Sequence, residues 1–435
     1  MPLQGRRPPL EGAELIAGAT SRAQRRAERR AESAEDRGEL DRWLLLLTVL
    51  LVGVGLVMVF SASQAGALLQ HGSPLYYFER QAVWVALGLA ALFFFARTDY
   101  RRLRRLAAPV AAVVALMMLL VLVPHIGLKI GGARRWFNLG PLGTVEPSEL
   151  GKLAFAFFFA DWLVRREERL LSVKEGLVPF CVLGGGVLAL VMLEKDLGTG
   201  LVLAAIFASS FFAAGGRKRH LVLLVAGLAG AGVVVVLKES YRSARLGAFL
   251  HPFADPLGSG WQSAQSLYAL GTGGITGVGL GHSMEKFLWL PEAQTDFIFA
   301  IIGEETGIIG TTLILAGFIA FAIRGYRIAM RAPDRYGAIL SASLTTWIAF
   351  QALLNMATVT DTLPITGVPL PFISYGGTAL ATTLAAVGVL LNISRQSTAR
   401  PRRDDSWRND ATADLGRGDR WASVPGPGGR PGLPR

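Results

Sequence analysis

The residue in this sequence best placed to do chemistry is an aspartate at the edge of an apolar run. Asp296 stands in Leu290-Pro291-Glu292-Ala293-Gln294-Thr295-Asp296-Phe297, where a polar stretch gives way to a long apolar block. A carboxylate at such a boundary is partly desolvated, which raises its pKa and makes it a better general base. The same position suits a helix N-cap, with Thr295 or Asp296 accepting from the free amides of the first turn, and the two roles are compatible. Glu304 and Glu305 follow inside the apolar block, which calls for a cavity or a charged partner. Gly303 and Gly307 form a small-xxx-small pair beside them, which favours close helix packing.

A second polar cluster contains Arg134, Arg135 and Trp136, then Glu146, Glu149 and Lys152. Arginine and lysine recognise phosphate well. Glu149 and Lys152 are three apart on one helix face, so an intrahelical ion pair is the plainer reading. Near the C-terminal end, residues 364–377 hold Pro364, Pro369 and Pro371 with Gly367, Gly376 and Gly377, a composition that excludes a regular helix and predicts an ordered re-entrant turn. Ser374 there is a candidate helix cap, and Asn355, Thr358, Thr360 and Asp361 make the preceding apolar run unusually polar at its end. A glycine-dense stretch, 271–281, contains a GxGxxG fragment, but no strand–turn–helix unit surrounds it. Close backbone approach or a re-entrant segment explains those glycines better. His125, His251 and His282 lack metal-ligand spacing, so no metal site is assigned, and Cys181 reads as plain packing.

These groups need a scaffold, and composition says which kind. Of 435 residues, 51% are hydrophobic and 17% charged, against about 25% charged in a typical soluble domain. The apolar residues come in blocks long enough to cross a bilayer as helices. An all-α, polytopic fold of ten transmembrane helices is predicted, with spans near 43–63, 80–97, 105–124, 149–164, 176–193, 197–214, 219–238, 296–323, 336–358 and 374–394. The loops that face one side hold 16 lysines and arginines; those facing the other hold 8 although they are far longer. The positive-inside rule then places both termini in the cytoplasm and the 57-residue segment 239–295, between spans seven and eight, outside. The first apolar run is too long for a signal peptide and follows a charged 42-residue tail. Residues 1–42 and 396–435 are read as cytoplasmic tails, the second disordered, around a membrane domain at 43–395. The net charge of +12 is spread along loops and tails, which excludes a nucleic-acid surface and fits topology and anionic lipids.

The combination of motifs resembles the SEDS family (shape, elongation, division and sporulation) of the FtsW and RodA type. The stretches that carry it are 290–305, 367–377, Gly132 to Trp136, Gln265-Ser266 with the glycine run, and Asp196 to Thr199, spread over about 42 to 395. Phe60-Ser61-Ala62-Ser63 and Leu391 to Arg395 are nearer the FtsW branch. Two positions depart from the family: Gln294 stands where histidine is common and Lys195 where proline is. Neither removes the carboxylate at 296, but any role for an ionisable imidazole at 294 is lost.

The resemblance implies a peptidoglycan glycosyltransferase acting on lipid II at the outer face of the cytoplasmic (inner) membrane, at the septum in the FtsW case. It maps the family's essential aspartate onto Asp296. The pyrophosphate leaving group needs positive charge, from Arg135, Lys152, Lys286 or a divalent cation (Mg2+ or Mn2+). Glu149, Glu292 and Ser374 complete the candidate substrate-binding set. The implied partners are a class B penicillin-binding protein, a transpeptidase, and other division proteins. A lipid II flippase and a non-catalytic division scaffold remain as alternatives. A flippase needs polar residues from one membrane face to the other, and a scaffold tolerates Asp296→Asn.

Overall fold

A computed structural model describes residues 38–140, 143–238 and 240–398; the outer parts of both tails, and the expectations about them, lie outside the described residues. Helix α1 (Arg42–His71) starts where Asp41 accepts from the Leu44 amide and stops at Gly72, whose left-handed φ of 73° lets its N–H donate to the Leu68 carbonyl. Then come α2 (Tyr76–Arg97), the short α3 (Tyr100–Leu103) leading into α4 (Ala107–Val121), and α5 (Pro147–Arg165). Next are α6 (Val178–Leu193), α7 (Leu197–Ala213) and α8 (Lys218–Lys238). The segment 239–295 contains α9 (Ser240–Leu250) and α10 (Trp261–Gly273), and α11 (Ile298–Met330), α12 (Arg335–Val359) and α13 (Gly377–Thr398) close the chain.

Eight of these helical stretches are long and apolar enough to cross a membrane: α1, α2, α3 with α4, α6 with the π-helical turn Val173–Leu177 that leads into it, α8, α11, α12 and α13. The other two expected spans, α5 and α7, fall short for different reasons. Helix α7 has 17 residues. Helix α5 carries Glu149, Lys152 and Asp161, all buried, so it survives only in the middle of the bundle where those groups find partners. Burial grades the bundle: 83% of the apolar window of α13 is inside but only 11% of that of α8, whose Val222, Leu223, Val233 and Leu237 face outward. Such a face is a liability in water and ordinary against lipid tails.

The core is knitted by aromatic contacts and by glycines that let helices touch. Phe180 of α6 stacks on Phe207 of α7 with centroids 4.1 Å apart, and Phe159 of α5 meets Phe180 edge-on and Phe207 at a tilt. Gly88 on α2 meets Leu384 and Ala381 of α13.

The structure departs from an all-α reading in one place. Ahead of α5, strands β1 (Leu128–Ile130), β2 (Ala133–Asn138) and β3 (Thr144–Val145) form a three-stranded antiparallel sheet. Ile130 pairs with Ala133 across Gly131-Gly132, both with φ > 0, a two-residue hairpin turn that glycine adopts without strain. The glycine pair is the signal that the reading of this segment as a plain loop passed over.

Helix α11 is broken at Gly307, whose φ of 66° and ψ of −164° are not helical. The break frees carbonyls and amides, and the glycine-dense stretch takes them up. Val278 and Gly279 donate to the carbonyls of Glu304 and Glu305 (2.9 and 3.1 Å), while Ile308 and Ile309 donate to Gly274 and Ile275 (2.9 and 3.3 Å). A Cβ on Gly277 would lie 2.2 Å from the Glu305 carbonyl oxygen. Close backbone approach is thus what these glycines serve. Gly307 serves this exchange, where a Cβ would meet the Ile275 carbonyl, while Gly303 lets Leu270 of α10 pack closely on α11.

Candidate functional site

A cavity of about 1140 Å³ opens at the end of the bundle where the 239–295 segment sits. Its polar wall includes Arg135, Glu146, Asp196, Arg245, Glu292 and Asp296. Its other arm is apolar and runs between α7 and α8, past Leu201, Ala205, Val225 and Val233.

Asp296 lies in the turn just ahead of α11 and does not cap it. The helix starts after Phe297, and no side chain caps its first turn. Its carboxyl therefore remains available to the cavity. Burial pushes its pKa up to about 7; Glu292 and Asp196 add to the rise, and Arg245 and Arg135 oppose it. The loop facing it is shaped for it. Gly367 has φ of 72°, a backbone conformation that favours glycine, and a Cβ there would be in contact with Oδ2 of Asp296 at 3.4 Å.

Arg135 has the partner its position demands. Its Nε donates to the carbonyl of Glu194 (3.1 Å), Nη2 to that of Lys195 (2.8 Å), and Nη1 lies 3.4 Å from Oδ2 of Asp196. The tight α6–α7 turn is thereby tied to β2, and Asp196 caps α7 through the Thr199 amide. Trp136 donates from Nε1 to Glu146. Burial raises the carboxyls of Glu146 and Glu194; Asp196 raises both further, Glu149 adds to the rise of the first and Glu146 to that of the second, and Arg135 opposes. The wall thus holds more acid groups than full charges.

The remaining sequence candidates divide. Glu149 and Glu292 line the cavity. Lys152 does not: it is fully buried, with Nζ donating to Glu149 (2.5 Å) and to Oε1 of Gln351 (2.9 Å). Lys286 is also turned away, its Nζ 3.2 Å from Glu305 and donating to the Gly281 carbonyl, with Ser61 donating to Glu305 from the other side. Ser374 is buried, donating to the Thr295 carbonyl (2.6 Å) and accepting from the Leu370 amide (2.7 Å). It neither lines the cavity nor caps α13, which starts at Gly377. In each case an amphipathic or polar side chain buried in an apolar bundle has taken the nearest internal partner.

Arg245 on α9 was not singled out from sequence, because neither of the two arginines in a 57-residue segment shows where it folds; the Nη1 of Arg245 donates to the Ile365 carbonyl on the cavity rim. Glu146 and Asp196 appeared only inside longer stretches. Among the described residues no group of three or more His, Cys, Asp or Glu side chains is arranged to hold a metal. A divalent cation finds no ready-made set of protein ligands there.

An apolar helical bundle with a cavity that is polar on one side and apolar on the other defines a multi-pass membrane protein. The chain belongs to the FtsW/RodA/SpoVE family of cell cycle proteins, whose pattern it matches over residues 42–399. It is 42% identical over 358 residues to stage V sporulation protein E of Bacillus subtilis, spanning 82% of this chain and 97% of that one. It is 39% identical over 366 residues to a probable peptidoglycan glycosyltransferase FtsW of Geobacter metallireducens, spanning 83% and 97%. Among solved structures it resembles a chain of a peptidoglycan synthase complex that coordinates polymerization and crosslinking (TM-score 0.68, 29% identity, 83% of this chain and 99% of that one). It also resembles the rod shape determining protein RodA of Thermus thermophilus (TM-score 0.62, 27% identity, 83% and 99%).

Proposed function

We propose that this protein is a peptidoglycan glycosyltransferase that polymerises lipid II at the outer face of the cytoplasmic membrane, for septal wall synthesis. Helices α5 and α7 complete ten spans, both termini are cytoplasmic, and the 239–295 segment lies outside. The observation that carries the reading is the shape of the cavity around Asp296. A disaccharide–pyrophosphate headgroup suits the wall of arginines and carboxylates, and a polyprenyl tail suits the apolar arm between α7 and α8. The relatives' names point the same way.

In this reading a sugar hydroxyl of one lipid II attacks the anomeric carbon of another. The bond from that carbon to pyrophosphate breaks, and the hydroxyl proton goes to Asp296. A base with a pKa near 7 is half deprotonated at neutral pH and still strong enough to take the proton. Arg135 and Arg245 stand on the same wall and offset the charge of the departing pyrophosphate. Lys152 acts through Glu149, Lys286 supports the fold, and Glu292 tunes Asp296. A class B penicillin-binding protein is the crosslinking partner, in keeping with the complex that one structural relative belongs to.

The test is polymerisation of purified lipid II in detergent with the cognate transpeptidase, comparing wild type with Asp296→Asn at equal folded amounts. Long glycan strands from wild type alone are expected. Strands from both would displace Asp296 as base. Lipid II transport by both, with strands from neither, would favour a flippase.

A further inference from the structure

We infer that Asn355 is a positioning residue for the reaction: its side-chain amide fixes the backbone of Asp296 against the 364–377 loop and so sets where the carboxylate stands in the cavity. The inference rests on Asp296 being the base.

Three successive carbonyls, 294 to 296, are each held by a donor from outside their own segment. The Tyr375 amide donates to Gln294 (2.9 Å), the Ser374 hydroxyl to Thr295 (2.6 Å), and Nδ2 of Asn355 to Asp296 (2.7 Å). The second hydrogen of the same Nδ2 goes to the Val368 carbonyl at 2.8 Å. Val368 follows Gly367, the residue packed against the Asp296 carboxylate. One amide therefore joins the base's own peptide to the loop that shapes its pocket. Both neighbours of Nδ2 are carbonyl oxygens, so only the NH2 end of the amide can face them.

The bond is built into α12 rather than borrowed from a surface side chain. Asn355 is fully buried, and its Oδ1 makes no hydrogen bond. Leaving a buried acceptor unpaired is unfavourable, so packing alone does not account for asparagine here. One turn earlier on α12, Gln351 does the parallel task. It donates to the Pro369 carbonyl (2.9 Å) and accepts from Lys152 (2.9 Å) and Trp347 (2.9 Å). The two amides, four apart, thus pin the carbonyls of consecutive residues 368 and 369, and Gln351 also meets Lys152, the partner of Glu149. Asn355 is the member of the pair that touches the base's backbone. It does not line the cavity, so it acts through Asp296 rather than on substrate.

Asn355→Leu keeps the size and removes both donors; Asn355→Ser keeps a small polar group too short to span the two carbonyls. A misplacement near 1 Å lowers turnover on the order of 100-fold, so kcat for polymerisation is expected to fall about 10- to 100-fold. The KM for lipid II should hold within about twofold, because no headgroup contact is removed. The acid limb of the kcat profile should move to lower pH. A loosened carboxyl takes up water and loses the burial that raises it, while Glu292, Asp196, Arg245 and Arg135 still face it. A variant that folds to wild-type amounts and polymerises at wild-type rate would overturn the inference. So would a loss of rate with KM rising in step and the acid limb unmoved, which marks a binding or folding defect. Wild-type activity in Asp296→Asn would instead remove the base on which the inference stands, so the two failures are separable.

Discussion

At the scale of single residues, the site is an exercise in charge balance around one carboxyl. Asp296 is raised by burial first, then by Glu292 and Asp196, and lowered by Arg245 and Arg135. With Asp296 as the base of the proposed reaction, polymerisation should rise with pH through a limb near 7. Glu292→Gln removes a negative neighbour, eases ionisation of Asp296 and should shift that limb to lower pH. Arg245→Ala removes a positive neighbour and should shift it to higher pH, with a further loss of rate from the leaving-group side. Initial rates of glycan synthesis across pH 5.5 to 9, taken with all variants at equal folded amounts, separate the two. Identical limbs in both variants would mean that Asp296 is not the group being titrated.

At the scale of elements, two devices hold the carboxylate's surroundings. One is the exchange between the glycine-dense stretch and the break in α11, with Glu305 anchored by Ser61 and Lys286 and Glu304 by Ser283 and the Met284 amide. Lys286→Met leaves Glu305 buried without its cation. Such a change costs about 3–5 kcal/mol, and should appear as an earlier unfolding transition in detergent, larger than any direct effect on substrate KM. Glu305→Gln with Lys286→Met should recover part of it, since neither charge is then left alone. The other device is the loop at 364–377. Gly367→Ala forces a side chain into left-handed backbone, at about 1–2 kcal/mol, and sets its Cβ against Asp296. Loss of polymerisation with the fold retained, read by gel filtration and glycan assay together, is the expected result.

At the scale of the whole molecule, the burial gradient from α13 to α8 describes a bundle with a firm centre and one helix mostly in lipid. The cavity's apolar arm lies against that peripheral helix, and in the proposed reaction this arm is where the lipid tail of the substrate would lie. The proposed orientation is open to direct measurement. In a Cys181→Ser background, cysteine placed at the exposed Leu257 should react with a membrane-impermeant maleimide from outside the cell. Cysteine at the exposed Pro333, in the turn between α11 and α12, should react only after the membrane is opened. The reverse pattern would invert the topology and put Asp296 on the wrong side for lipid II.

Much of this was open to reading before any coordinates. Apolar blocks of roughly twenty residues must become helices in a bilayer, because the hydrocarbon offers their peptide groups no other partner. The sequence by itself therefore determined the helical bundle, eight of its long apolar helices, and the place of Asp296 at a boundary between apolar and polar surroundings. The 367–377 and 132–136 motifs marked the walls around it. What it did not determine was which buried polar group answers which. Lys152 and Lys286 look alike as phosphate binders in one dimension, yet each is consumed by a partner: Glu149 and Gln351 for one, Glu305 for the other. Arg245, unremarkable in its segment, is carried by α9 onto the cavity wall. Asn355 and Ser374 meet the carbonyls of Asp296 and Thr295 only because α12 and the last loop fold back beside them. A charge or an amide in an apolar interior must be satisfied, and that requirement is written in residue types. The identity of the partner depends on which elements come to lie side by side, and only the tertiary structure decides that.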